Sequence, residues 1–218
     1  MAADELIIRI KEDGSVSVEE CKDGVISYKA ITPDSLLDCI NKSILRGGVK
    51  SGLLPKNCLS VTHHDNGERE VVMLHPEDCA DISYMGTEYK NFPLPKLVFG
   101  FRISGEGRIS GCRLGVVGNE NILKPTTPMF TYPFSNVNNT HLCIGNNILP
   151  KAQNLHTLGS LTYHILSMSN NNDHFNSSNN KPRLEMRDLL ELLKDKPPGY
   201  YYEHILMPSG TTLGEFIV

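Results

Sequence analysis

Cys143 stands in a loop bounded by prolines, and it is the side chain of this sequence whose setting best suits a nucleophile. The segment reads Pro133-Phe134-Ser135-Asn136-Val137-Asn138-Asn139-Thr140-His141-Leu142-Cys143-Ile144-Gly145. An amide side chain, Asn136, lies seven residues upstream of the thiol and an imidazole, His141, two residues upstream. In an extended segment Leu142 and Ile144 anchor on one side while His141 and Cys143 turn to the other. A histidine close to a thiol favours the thiolate, which is the reactive form. The same residues also describe a half-buried loop cysteine beside a solvated asparagine, and the chemistry of the segment alone leaves both open.

Two other clusters resolve into turns. Gly105-x-Gly107-x-x-x-Gly111 has the look of a phosphate-binding loop, but it lies between two strand patterns and opens no helix, so a hairpin turn is expected. His63-His64-Asp65 brackets the Asn66-Gly67 tip of another hairpin, where polar residues are expected, and adjacent strand residues face opposite ways; with His75 further on, they make no metal site. The six cysteines, at 21, 39, 58, 79, 112 and 143, contain no C-x-x-C pair, so neither a zinc ribbon nor a redox dithiol is expected and the thiols should be free. No cofactor motif is present.

Composition narrows the setting. With 39% hydrophobic and 21% charged residues over 218 positions, and no apolar run near the roughly 20 residues of a membrane span, the chain reads as soluble with no membrane partner. The N-terminal MAADELIIRIKEDG carries acids where a secretory signal carries bases, so the expected location is cytoplasmic. A net charge of -4 without a Lys/Arg stripe argues against a nucleic-acid partner.

The elements that must position Cys143 follow from period. Residues 1–30 read as a β-hairpin extension, with Ile7, Ile8 and Ile10, a turn at Asp13-Gly14, Val16 and Val18, then Val25 and Tyr28 beyond Asp23-Gly24. Thr32-Pro33-Asp34 opens a helix carrying Leu36, Leu37, Ile40 and Ile44, which Gly47-Gly48 ends. Four alternating runs, near Leu59–Thr62, Glu70–Leu74, Leu97–Ile103 and Cys112–Val116, predict an antiparallel meander from about 57 to 117, packed on helices near 33–46 and 152–168. Asn66-Gly67 is expected as a two-residue turn with both φ angles positive. Residues 118–150 form a long irregular loop. The Asn/Ser-rich stretch 169–181 reads as a polar mobile linker, and 182–218 as a helix with Met186, Leu189, Leu190 and Leu193 on one stripe, stopped by Pro197-Pro198, and a tail.

Residues 31–168 then assemble a recognisable order. A helix, a four-stranded meander, and a loop Phe134-Ser135-Asn136-Val137 with Leu142-Cys143-Ile144-Gly145 ahead of a helix resemble the ubiquitin-conjugating enzyme fold, whose signature is H-P-N-(I/V)…I-C-L. Leu54-Pro55-Lys56-Asn57, Phe92-Pro93-Leu94-Pro95-Lys96-Leu97-Val98-Phe99 and Thr127-Pro128-Met129-Phe130 make the chain similar to prokaryotic ubiquitin-conjugating family D, which includes PRTRC system protein B. The likeness covers roughly residues 48–168. Phe134-Ser135 replaces the eukaryotic His-Pro, the interval from Asn136 to Cys143 is one residue shorter than usual, and no tryptophan follows the cysteine.

The resemblance implies an α+β, ubiquitin-conjugating-like fold with an N-terminal helix, an active-site loop and C-terminal helices. It implies a bacterial transferase that takes a ubiquitin-like protein from an activating enzyme as a thioester on Cys143 and passes it to an acceptor nucleophile. Asn136 would serve as oxyanion donor or loop support, and His141 as an optional base or thiolate support. Expected partners are the ubiquitin-like protein, the activating enzyme and a metal-dependent deconjugase from the same operon. Two rival functions stay open: a non-catalytic scaffold of the same fold, and a cysteine hydrolase pairing Cys143 with His156 or His164.

Overall fold

Three reversals of the chain share one device, a turn in which a left-handed glycine donates its amide to the carbonyl three residues back, and each sets the register of a hairpin. A computed structural model describes residues 5–22, 24–44 and 51–217. The chain divides into two compact units, Met1–Ser51 and Gly52–Val218.

In the first unit β1 (Glu5–Ile10), β2 (Val16–Lys22) and β3 (Val25–Ile31) form an antiparallel sheet in that order. The third of these strands carries Val25 and Tyr28, the run expected beyond Asp23-Gly24. Gly14, at φ 78°, donates its amide to Lys11 O at 2.9 Å, and Asp13 accepts from the amide of Ser15. Helix α1 (Pro33–Ile44) starts as its sequence predicts: Thr32 Oγ1 accepts from the amide of Ser35 at 3.2 Å, Pro33 takes the first helical position and Asp34 lies in the first turn. Asp23 and the expected stop at Gly47-Gly48 lie outside the described residues.

In the second unit β4 (Cys58–His63), β5 (Arg69–His75), β8 (Leu97–Ile103) and β9 (Ile109–Val117) are neighbours in that order, all antiparallel, which is the expected meander. Its two outer turns repeat the device of the first unit. Gly67 (φ 81°) bonds to His64 O, and Gly107 (φ 81°) to Ser104 O, both at 2.9 Å. The expected two-residue Asn66-Gly67 turn is therefore corrected: only Gly67 has a positive φ, and the loop is a longer turn ending in a left-handed glycine.

Between the second and third meander strands the chain makes an excursion that the sequence reading left unassigned. Strands β6 (Asp78–Tyr84) and β7 (Thr87–Leu94) form a hairpin through Met85 and Gly86, at φ 48° and 79°. Ala80, Ile82 and Tyr84 alternate inward, whereas Asp78 and Asp81 on the same strand mask the pattern by composition.

The remaining elements are β10 (Pro128–Phe130), β11 (Val137–Asn138), β12 (His141–Leu142), α2 (Thr157–Leu166), β13 (Ser169–Asn170), α3 (Met186–Leu193), α4 (Gly199–His204), β14 (Pro208–Thr212) and α5 (Leu213–Ile217). One face of the meander packs on α2, burying Phe99, Phe101 and Leu114 in one cluster with Leu158, Leu161 and Ile165, and α3 joins the same cluster while bonding to the β6–β7 hairpin. The α3 stripe of Met186, Leu189, Leu190 and Leu193 is buried as expected. Each such side chain contributes about 1.5–3 kcal/mol by leaving water. The opposite face carries a smaller cluster in which Val98, Val117 and Met129 meet Leu213 and Phe216 of α5. Gly115 makes this approach possible, since a Cβ there would lie 2.7 Å from Met129 Cε.

Residues 169–181, expected as a linker, are built into this unit. Strand β13 pairs in parallel with β6, residues 177–179 form a 3-10 turn capped by Asn176, and Asn180 is fully buried, bonded to both the amide and the carbonyl of Leu184. The asparagines act here as local hydrogen-bonding groups, a use that composition does not distinguish from solvation. No helix among the described residues is long and apolar enough to cross a membrane.

Candidate active site

Phe134 fixes the loop that carries the site. Its ring is 2% exposed and meets Phe92, Tyr132 and Tyr201 edge-on, at centroid distances of 6.0, 5.4 and 6.2 Å. Two residues later Asn136 adopts φ 64°, a left-handed conformation that asparagine tolerates better than most residues, and the chain turns into the hairpin β11–β12. Asn139 and Thr140, at φ 44° and 71°, make its two-residue turn. The hairpin joins the meander through β9, with His141 opposite Arg113 and the amide of Leu114 bonded to Thr140 O at 2.7 Å.

This hairpin explains the seven-residue interval between the amide and the thiol. Val137 pairs with Leu142, so Asn136 and Cys143 are the residues immediately outside the paired strands, and the amide of Cys143 donates to Asn136 O at 2.7 Å. A tight turn consumes the shortened loop and sets the two residues side by side.

Asn136 is held from a third direction by the tract that follows α2. Its Nδ2 donates to Asn170 Oδ1 at 3.0 Å and its backbone amide to Asp173 O at 2.7 Å. Asn170 in turn donates from Nδ2 to Ser83 O and Met168 O, and its carbonyl accepts from the amide of Met85. Tyr84 reinforces the same join by donating its hydroxyl to Asn172 Oδ1 at 2.7 Å. Strand β6 therefore holds Asn170, Asn170 holds Asn136, and Asn136 holds the backbone of Cys143.

Cys143 is exposed and lines a cavity of about 190 Å³. Its lining residues include Asn136, Asn147, Asn170, Asn171, Asp173 and Ser135, whose hydroxyl is covered. Asp173 is the sole carboxylate among the described lining residues, and its Oδ2 accepts from Asn171 Nδ2 at 3.0 Å. Sequence reasoning missed Asn170 and Asp173, because an Asn/Ser-rich run signals only the lack of a core of its own.

His141 does not share this cavity. It lines a separate groove on the meander with Glu70, Arg102 and Arg113, its Nδ1 lying 3.4 Å from Asn139 O. His156 and His164 are likewise absent from the described residues around Cys143. Of the other thiols, Cys112 is buried, which pushes it up to about 12, and burial also raises Cys58; Cys39 and Cys79 are exposed on an α-helix and a β-strand. Among the described residues no three His, Cys, Asp or Glu side chains gather as a metal site.

A second cavity, of about 710 Å³, lies across the same loop. Asn136 lines the first and Val137 the second; Asp173 lines the first and His174 the second. The bond from the Asn136 amide to Asp173 O joins these two segments into a partition, and Leu114 and Tyr132 floor both spaces.

No curated protein and no solved structure matches the chain. A family model described as prokaryotic E2 family D matches residues 38–197, a span that contains Cys143, Asn136, the β6–β7 hairpin and the tract that braces them. With well over half of its length so matched, the chain belongs to prokaryotic E2 family D.

Proposed function

We propose that this protein is a bacterial conjugating enzyme of the ubiquitin-conjugating type, and that Cys143 receives a ubiquitin-like protein from an activating enzyme as a thioester and passes it to an acceptor nucleophile. The observation that carries the reading is the position of Cys143. It is an exposed thiol at the mouth of a hydrogen-bonding cavity, its backbone fixed by Asn136, inside the segment that defines the family.

Loading is an exchange of thioesters. The Cys143 sulfur attacks the carbonyl carbon at the C-terminus of the ubiquitin-like protein, and the activating enzyme's thiolate leaves. In discharge an acceptor amine or hydroxyl attacks the same carbon, and the Cys143 thiolate departs. Asp173, in the cavity itself, takes the nucleophile's proton; His141, in the neighbouring groove, serves the loop rather than the chemistry. Asn136 acts as loop support, since its amide is oriented by Asn170. His156 and His164, which a cysteine hydrolase would need, do not line the cavity.

The test is to incubate the protein with ATP, an activating enzyme and a ubiquitin-like protein. The expected result is an adduct lost on treatment with reductant, and a slower, reductant-resistant adduct or none from Cys143→Ser. An undiminished reductant-sensitive adduct in that variant would assign the transfer to another thiol, and no adduct from the wild type would leave the scaffold reading.

A further inference from the structure

We infer that Ser135 is a catalytic residue of discharge, donating its hydroxyl hydrogen to the oxygen of the Cys143 thioester as that oxygen becomes negative. The inference rests on the thioester reading and adds to it a hydroxyl donor that the folded protein leaves unpaired.

The cavity around Cys143 is rich in amides, and each commits at least one of its two Nδ2 hydrogens to the protein itself. Asn136 donates to Asn170, Asn147 to Ile144 O at 2.7 Å, and Asn171 to Asp173, while Asn170 uses its Nδ2 on Ser83 O and Met168 O. Ser135 differs from all of these. It is 1% exposed, it lines the same cavity, and its Oγ has no hydrogen-bond partner among the described residues. A buried hydroxyl left unpaired lowers the stability of the folded protein, and alanine in its place would avoid that cost. Its place one residue from Asn136, in the lining of the cavity that holds the thiol, points to a partner that arrives with the substrate.

The acyl group on Cys143 supplies such a partner. When an acceptor amine nitrogen bonds to the thioester carbon, the carbonyl π pair moves to oxygen. Collapse restores the C=O, breaks the C–S bond and releases the Cys143 thiolate, while the amine proton leaves to Asp173 or water. A neutral O–H donor stabilises the oxyanion between these steps without offering a competing base, and a dry setting strengthens it. Oγ is covered in the unloaded protein, so donation to the acyl oxygen requires a rotation about χ1 that turns it toward that oxygen on loading.

Ser135→Ala tests this by separating three quantities that a structural role would move together. The wild type and the variant are loaded with the ubiquitin-like protein and discharged onto free lysine, and both proteins are melted without substrate. We expect equal loading, an unchanged or raised Tm, and a kcat for discharge lower by about tenfold to a thousandfold with the KM for lysine little altered. Equal kcat values would overturn the inference and leave Cys143 in place. A variant that fails to load, or melts several degrees lower, would make the hydroxyl a structural group and overturn it too. If the wild type itself forms no thioester, the conjugating-enzyme reading falls and this inference with it.

Discussion

The amide of Cys143 donates to the carbonyl of Asn136 at 2.7 Å, closing an eight-residue loop whose remaining members form the hairpin β11–β12. The thiol is exposed, yet the backbone beneath it is tied to the meander through Thr140 and to β6 through Asn170. Such a group is accessible without being loose, which is what the proposed acyl transfer at one atom would demand.

Truncating Asn136 should depend on the replacement chosen. Its φ of 64° costs an alanine about 1 kcal/mol that glycine does not incur, while both lose the bond to Asn170. Urea unfolding should therefore find Asn136→Gly more stable than Asn136→Ala by about 1 kcal/mol. The reverse order would show that this backbone relaxes out of the left-handed region.

Asn170→Ala removes one accepted and two donated side-chain bonds at the join between β6 and the loop, a loss of about 1–3 kcal/mol in stability. Asn170→Asp sets carboxylate oxygens against the carbonyls of Ser83 and Met168 and should be at least as destabilising at neutral pH. Thermal melts check both, and a variant indistinguishable from the wild type would show that Tyr84 and Asn172 carry the join alone.

Alkylation of the folded protein near pH 7 should divide the thiols by burial. Cys143, Cys39 and Cys79 are exposed and should react, Cys143 first; Cys112, pushed up to about 12, and Cys58, raised by partial burial, should react only after unfolding. Peptide mass spectrometry gives the order, and early labelling of Cys112 would place it on a mobile part of β9.

His75 gives the fold a pH dependence. It is 1% exposed beneath α2, 3.4 Å from Thr162 Oγ1 and edge-on to Tyr163, and its Nε2 has no partner among the described residues. Burial holds its pKa below the ordinary value near 6.5, an effect that the Asp78 carboxylate partly opposes. The unfolded chain therefore binds the proton first. The stability contributed by neutral His75 is complete above about pH 6.5 and is lost as pH falls toward the lowered folded value. Tm measured from pH 7.5 to 5 should drop for the wild type and drop less for His75→Phe; parallel curves would exclude His75 as the cause.

What the sequence made legible depended on whether a residue's role is periodic or positional. The α3 stripe, the four meander strands and the cap at Thr32 follow from spacing of 3.6, spacing of two and a hydroxyl before a proline, all of which act locally. The position of Cys143 at a loop edge was legible for the same reason. Asn170 and Asp173 were not, because their roles are set by contacts with Asn136, more than 30 residues away in sequence, in a run whose composition says only that it is polar. His141 lines a groove other than the cavity of Cys143: alternation places the two residues on one side only while the strand continues, and β12 ends at Leu142.

Strands β5 and β8 pair directly although the β6–β7 hairpin separates them in sequence. The hydrogen bonds of the meander therefore close without the hairpin, although Ala80, Ile82, Tyr84 and Phe92 of the hairpin are buried in the same core. Yet Ser83 on that hairpin is the anchor for Asn170, and a residue added or removed there would shift the anchor by about 3.3 Å along the strand. The hairpin is in this sense an adjusting screw: the spacing of the side chains around Cys143 can be retuned from it while the hydrogen bonds of the meander stay as they are.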